Sequence, residues 1–380
     1  MATNGAHVNG TLFTPDKYPD FPKDVPSVKL ETFSLAELEK GDRALEEKLF
    51  ETCKERGFFY LDLNGSSRDS MGSDCDEIAR LAEKVFKLPL EVREQYGPTV
   101  NIFGEADQLI QSSFKQVGAT KTDANGTPDT ACFLNIAKDR ILDNTDRWKY
   151  PQLVLDHKDL LARYMCNAHW TGLKILSILA ERLGLPSDGF ACYHRLTEES
   201  GDHVRMTHGP PRRTAELPEI QTPGHTDFGT ITILFNWLGG LQVWSDPSRG
   251  GFANVVDPES SAGPGGDDDD DDDGERPRWL WVQPPPPNHA IVNLADAAVK
   301  WTGGVLCSGR HRVVPAPGEQ GKFDRYSVVY FVRPEDKAVL KRLEAPGIPK
   351  LEPGEKEEEI TAKEWILKQA RGLGQQLATK

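Results

Sequence analysis

The chain has 380 residues, 38% of them hydrophobic and 27% charged, which is enough apolar material for a packed core and excludes global disorder. Its formal charge is −14, and without the seven consecutive aspartates at 267–273 it is −7, so the basic footprint of a nucleic-acid-binding protein is missing. Mean hydropathy is −0.52, and no run of about 18 apolar residues offers a transmembrane helix.

Residues 1–25 are rich in Gly, Pro, Asp and Lys and read as an arm laid over the surface. Residues 1–10 have neither the basic nor the apolar stretch of a secretory signal. The six cysteines (Cys53, Cys75, Cys132, Cys166, Cys192 and Cys307) show no paired spacing, so free thiols in a cytoplasmic setting are expected. Leu45, Leu49, Phe50 and Cys53 share a helical face, with Gly57 where a C-cap belongs. Residues 58–63 follow as a buried strand. Ile78, Leu81, Ala82, Val85 and Phe86 mark a second amphipathic helix that Pro89 stops.

Residues 98–145 are mixed, with Gly118, Gly126 and Pro128 as turn signals. A long helix is expected over about 152–183, closed by Gly184 and Pro186. Beyond residue 200 short β-rich runs alternate with Gly and Pro: 230–235, 241–244, 279–282, 290–293, 311–314 and 326–332. Such spacing predicts a β sandwich or barrel. Between two of these runs lies an acidic insertion at 258–276, expected to be solvated. Residues 284–287 are four prolines and read as a stiff polyproline segment. A helix is predicted over 364–373.

The informative segment is Gly224-His225-Thr226-Asp227. A histidine and an aspartate two apart on extended backbone point to one side and can reach one metal ion. By itself the pair is a weak signal, with a surface turn as the alternative. Downstream come Asn293-Leu294-Ala295-Asp296, read as a tight turn after a strand, then Trp301-Thr302-Gly303-Gly304. His311-Arg312-Val313 enters another strand. Arg325 and Ser327 open the last long strand and share a face.

This ordered set resembles the iron(II)- and 2-oxoglutarate-dependent dioxygenases, in the branch that includes isopenicillin N synthase and the plant flavonoid and gibberellin oxidases. Ala44-Leu45-Glu46 and Arg56-Gly57-Phe58-Phe59-Tyr60 are similar to that branch's N-terminal region. Gly118-Ala119-Thr120 and Asn135-Ile136-Ala137-Lys138 look most like its ascomycete members. The resemblance implies an α+β fold: a double-stranded β-helix (jelly-roll) core with a helical N-terminal region packed on it. Five regions are expected: the arm (1–25), an N-terminal dioxygenase region (26–150), a long supporting helix and connection (151–199), the β core with its acidic insertion (200–336), and a C-terminal helical segment (337–380).

Carried over residue by residue, the resemblance implies His225, Asp227 and His311 as catalytic metal ligands, a two-histidine, one-carboxylate set suited to Fe(II). It implies Arg325 and Ser327 as the pair that takes the distal carboxylate of 2-oxoglutarate, through a guanidinium fork and a hydroxyl. O2 is the second co-substrate. His289 is the rival third ligand, but it follows Pro287-Asn288 in an apparent turn. The step from His225 to His311 is longer than usual in the family, and the acidic insertion occupies the difference.

Two departures stand out. Plant relatives carry an Asn and a Tyr on the strand before the first ligand, where this chain has Thr207 and Gly209. Ala295 also replaces the usual glycine before Asp296. Phe133, Asn135, Thr207 and Leu234 are candidates for the substrate pocket, and Trp237 has core packing as its alternative. His203, His208 and Cys307 are expected to be structural. The implied function is oxidation of a C–H bond in a small organic substrate, by hydroxylation, desaturation or ring formation in specialised metabolism, with release of succinate and CO2. Two alternatives stay open: an isopenicillin N synthase-like oxidase that does without 2-oxoglutarate, and a metal- or small-molecule-binding protein on the same scaffold. The expected partner is a small molecule, not nucleic acid or membrane, and a monomer is the default.

Overall fold

The computed structural model describes residues 18–97, 114–123, 125–142, 149–212, 219–246 and 277–369. The acidic insertion, the end of the predicted C-terminal helix and most of the arm lie outside these residues. In chain order the first elements are β1 (Ser27–Val28), β2 (Thr32–Ser34), α1 (Leu35–Lys40), α2 (Arg43–Glu55) and β3 (Phe58–Asp62). Then come α3 (Met71–Phe86), α4 (Leu90–Glu94), β4 (Phe114–Lys115), β5 (Cys132–Ala137) and α5 (Lys138–Leu142). The helical middle is α6 (Gln152–Leu155) and α7 (Lys158–Leu183). The β half follows as β6 (His203–Gly209), β7 (Thr222–His225), β8 (Ile231–Asn236), β9 (Leu241–Ser245), β10 (Arg278–Val282) and β11 (His289–Leu294). After α8 (Asp296–Trp301) come β12 (His311–Val313), β13 (Arg325–Val332), β14 (Val339–Leu340) and β15 (Ile360–Thr361).

Two sheets face one another. The larger has eight strands in the order β2-β3-β11-β8-β13-β6-β5-β4, and the smaller has five, β1-β10-β9-β12-β7. Alternation along the strands decides what each face carries. Ile231, Ile233 and Phe235 of β8 point outward and are buried against the helices. Thr232, Leu234 and Asn236 of the same strand point into the space between the sheets. Leu30, Phe58, Leu241, Val243, Val282 and Ile291 form a smaller apolar cluster there. The outer core is much larger and buries Leu161, Tyr164, Ala168, Ile175 and Leu179 of α7 against α3 and the sheet.

Local chemistry accounts for the main boundaries. Asp42 caps α2 by accepting from the Ala44 and Leu45 amides at 3.0 and 3.1 Å. Past its end Gly57, at φ +65°, turns the chain into β3. Gly184, at φ +79°, closes α7 in the same way.

Some expectations need adjusting. The predicted long helix is two helices, because His157 (φ −106°, ψ 21°) interrupts it and its Nδ1 sits 2.8 Å from the Leu153 carbonyl. The N-terminal region adds strands to its helices, with β2 and β3, the latter on the predicted 58–63 run, at one edge of the large sheet and β4 and β5 at the other. Asp296 is not in a tight turn but begins α8. Ala295 there is extended (φ −128°, ψ 173°), so no glycine is required. The C-terminal helix begins earlier than expected, covering 362–369 within the described residues.

Candidate active site

β7 and β12 are antiparallel neighbours, and their register places His225 directly opposite His311. The two rings lie 4.4 Å apart. Asp227 follows two residues after β7 begins to turn, and its Oδ1 is 3.7 Å from His225 Nε2 and 4.0 Å from His311 Nε2. One donor atom from each of the three lies within 4.8 Å of the others. The three expected ligands are thus brought together between the sheets.

The histidine tautomers are set by the backbone. His225 Nδ1 is 2.8 Å from the Pro223 carbonyl, and His311 Nδ1 is 3.1 Å from the Gly309 carbonyl. A carbonyl only accepts, so each Nδ1 carries a proton and each Nε2 is the nitrogen left to face a metal. Burial, with the neighbouring His311, pushes His225 down to about 4, which keeps it neutral. Burial acts to raise the Asp227 carboxyl, but the two histidines, Asn293 and Thr232 outweigh it and hold it below its usual range. Asp227 Oδ2 accepts from Thr232 Oγ1 at 2.7 Å and from Asn293 Nδ2 at 2.8 Å. Those two donors aim Oδ1 at the histidines. Phe58 packs its ring edgewise on His311 at 5.5 Å. Two imidazoles and one ionised, tethered carboxylate fit Fe(II).

Arg325 and Ser327 point into the same space from β13 and are 2% and 4% exposed. Arg325 Nε donates to the Gly239 carbonyl at 2.8 Å, while its Nη2 is buried with no partner among the described residues. Burial pushes the guanidinium down to about 10. A buried donor held in place but unsatisfied fits a carboxylate arriving from outside.

Across the barrel wall Thr207 pairs with Ser327 and Gly209 with Arg325. A Cβ at Gly209 would lie 2.2 Å from Gln221 Oε1. The Gln221 amide, 2% exposed, therefore fills the space that a side chain at residue 209 would need. Its Nε2 donates to the Pro210 carbonyl at 3.2 Å. Gln221 escaped the sequence reading, although it stands four residues before His225 on the same strand parity. Thr232 was missed too, and Asn293 was seen only as part of a pattern.

The remaining candidates separate cleanly. Phe133 and Asn135 lie on β5, opposite Thr207 and Arg205 of β6, and face the interior. Leu234 sits between Ile291 and Val329 on the inner face. Trp237 donates to Asp76 at 3.0 Å, outside the cluster. His289 opens β11 and faces Asp62 at 3.7 Å; it is not among the clustered donors. His208 stacks on Phe86 and Tyr326 and pairs with Asp324 at 2.7 Å. Cys307 is buried, and burial pushes its thiol up to about 12, far from a thiolate.

A two-histidine, one-carboxylate cluster inside a jelly roll defines a non-haem iron oxygenase. Residues 25–156 match the family model described as the non-haem dioxygenase in morphine synthesis N-terminal region, and residues 267–334 match the 2OG-Fe(II) oxygenase superfamily. A 2-oxoglutarate-dependent dioxygenase of Aspergillus fumigatus is 31% identical over 371 residues, covering 95% of this chain and 91% of that one. Another from Gibberella zeae is 30% identical, covering 91% and 88%. The chain belongs to the 2-oxoglutarate-dependent dioxygenases. In fold it is similar to full-length Neurospora crassa T7H in complex with alpha-KG, with a TM-score of 0.67, 19% identity, and 92% and 97% of the two chains covered. A 2OG-Fe(II) oxygenase family protein of Caulobacter crescentus gives a TM-score of 0.65 at 22% identity, covering 91% and 99%.

Proposed function

We propose that His225, Asp227 and His311 hold Fe(II) in this chain, and that Arg325 and Ser327 hold the distal carboxylate of 2-oxoglutarate. The observation that carries this reading is the coincidence of three converging donors with an unpartnered guanidinium nitrogen in the same interior. When bound, the iron and its co-substrates supply the oxidising chemistry: 2-oxoglutarate and O2 are converted to succinate and CO2 as a substrate C–H bond is oxidised.

The protein's own part is to bind, orient and exclude water. Thr232 and Asn293 keep one carboxylate oxygen occupied so that the other stays available. The Pro223 and Gly309 carbonyls hold both Nδ1 atoms, so that each Nε2 is the ring nitrogen turned toward the metal position. Arg325 is fixed by Gly239 before any ligand arrives, so little side-chain freedom is lost on binding. Gln221 stands in for the tyrosine of plant relatives by filling the wall beside Arg325. Phe133, Asn135, Thr207 and Leu234 line the substrate space in this reading. A role in specialised metabolism, in a cytosolic setting that suits six free cysteines, belongs to the same proposal.

The test is an anaerobic titration of the metal-free protein with Fe(II), then 2-oxoglutarate, watching for the visible charge-transfer band of the chelate. Arg325→Ala should weaken 2-oxoglutarate binding at least tenfold and leave Fe(II) affinity within twofold. Fe(II) binding with no band, and no succinate under oxygen, would refute the keto-acid assignment.

A further inference from the structure

Arg205 of β6 and Arg333, just beyond β13, have no role in the assignments above, and both extend the inward-facing rows of their strands. Counting by twos, Arg205 continues the row of Thr207 and Gly209, and Arg333 that of Ser327, Val329 and Phe331. Arg333 is 4% exposed, and its side chain runs past Gly229, two residues after Asp227: a Cβ there would be 2.9 Å from Arg333 Cγ. The two guanidinium carbons lie 4.9 and 5.5 Å from the centre of one ring, Phe331, and Arg205 also stacks over Phe133 at 4.2 Å. Each is near enough to Asp227 to feel its charge.

Neither arginine has a carboxylate partner among the described residues. Arg333 Nε and Nη1 are buried with no hydrogen-bond partner. Among the described residues Arg205 has one hydrogen bond, from Nε to Asn135 Oδ1 at 2.8 Å. The acids nearest Arg333 are engaged elsewhere. Asp202 accepts from the Arg333 backbone amide, from Tyr330 and from His169, and Asp336 faces Lys363 at 3.9 Å. His203, buried beside them, donates through Nδ1 to Gly201 and is held neutral by burial and by the two arginines. Stacking on phenylalanine recovers only part of what desolvating Arg333 and part-burying Arg205 cost. Iron, Asp227, Arg325 and a 2-oxoglutarate dianion would cancel one another's charge, leaving Arg205 and Arg333 in excess.

We infer that the substrate is a carboxylic acid with an apolar body, its carboxylate seated against Arg205 and Arg333 beside Phe331. This rests on the reading of the site given above. A guanidinium fork with free donors matches a carboxylate, and Phe133, Leu234 and Phe331 supply the apolar wall. A buried Arg333 beside a part-buried Arg205, neither touching a carboxylate among the described residues, is a poor structural element and a good anion receptor.

The test compares matched ligands by equilibrium dialysis under nitrogen, on protein loaded with Fe(II) and saturating 2-oxoglutarate. The pairs are 3-phenylpropanoate with 3-phenylpropanamide and decanoate with decanamide. In at least one pair the acid should bind tenfold or more tightly than its amide, with the chelate band intact. That preference should fall below twofold in Arg333→Met and Arg205→Met, and persist in Arg333→Lys. Because Arg333→Met removes an unpaired buried charge, its metal-free form should melt at or above the native temperature. No acid preference in either pair up to 10 mM, or a preference that both methionine variants retain, overturns the inference. A missing chelate band with the acid preference present would overturn the cofactor assignment and leave this one standing.

Discussion

Thr232→Val removes one hydroxyl and keeps the shape, and so isolates the tether on Asp227. Thr232 is 3% exposed and Asn293 is 3% exposed, so no water can replace a donor lost from Asp227 Oδ2. A hydrogen bond to a charged acceptor is worth about 1.5–3 kcal/mol. If the tether acts in the loaded state, Fe(II) affinity should fall about tenfold to a hundredfold, the range for loss of a group that orients a metal ligand. Without the hydroxyl, Asp227 is held by Asn293 alone and can turn Oδ1 away from His225 and His311. The assay is competition with a chromophoric chelator under nitrogen, beside Thr232→Ser, which restores the hydroxyl and should restore most of the affinity. A Thr232→Val protein that binds Fe(II) within twofold of native would show that the second oxygen's partners do not position the first.

Gly209→Ala should destabilise the fold by about 1–3 kcal/mol, the usual cost of overpacking, because its methyl group meets the Gln221 amide. Adding Gln221→Ala should recover much of that loss in urea unfolding; additive losses would refute the contact. A pH effect follows from His194, which is 1% exposed and pushed down to about 4 by burial. Its Nδ1 donates to Phe190 and its Nε2 accepts from Thr230, both at 2.7 Å, so a second proton would force the Thr230 hydroxyl to turn round and would bury a charge. The unfolded chain therefore takes up the proton first. This contribution is complete above pH 6.5 and is lost as pH falls toward 4, by about 3 kcal/mol. His194→Gln should lose less stability than native between pH 7 and 4.5; an unchanged slope would remove His194 as the cause.

Much of the β half was legible because its signals are local. Turn residues bound the runs, and alternation within 325–332 puts Arg325 and Ser327 on one face. His225 and Asp227 were readable as a pair, but their meeting with His311 depends on a β7–β12 register that no local pattern encodes. Gln221 was invisible for a related reason: its importance comes from what Gly209 lacks on another strand. Arg333 was within reach, by carrying the two-residue count one step beyond Phe331. Its burial was not, because a charged residue after a strand usually meets water. The break at His157 leaves the apolar period of the helical tract nearly undisturbed, so composition alone could not place it.

The β9–β10 ladder runs to Ser245 opposite Arg278, so the described chain leaves β9 and re-enters β10 at neighbouring points. β9 in turn carries β12, with Val243 beside His311. The two strand ends between which the insertion falls in sequence are thus held side by side by the ladder itself. Chain-closure entropy grows only logarithmically, so doubling the length of chain between them costs about 0.6 kcal/mol. The large numerical distance between His225 and His311 therefore places almost no load on the geometry of the cluster, and this segment can vary in length or charge while the chemistry stays where it is.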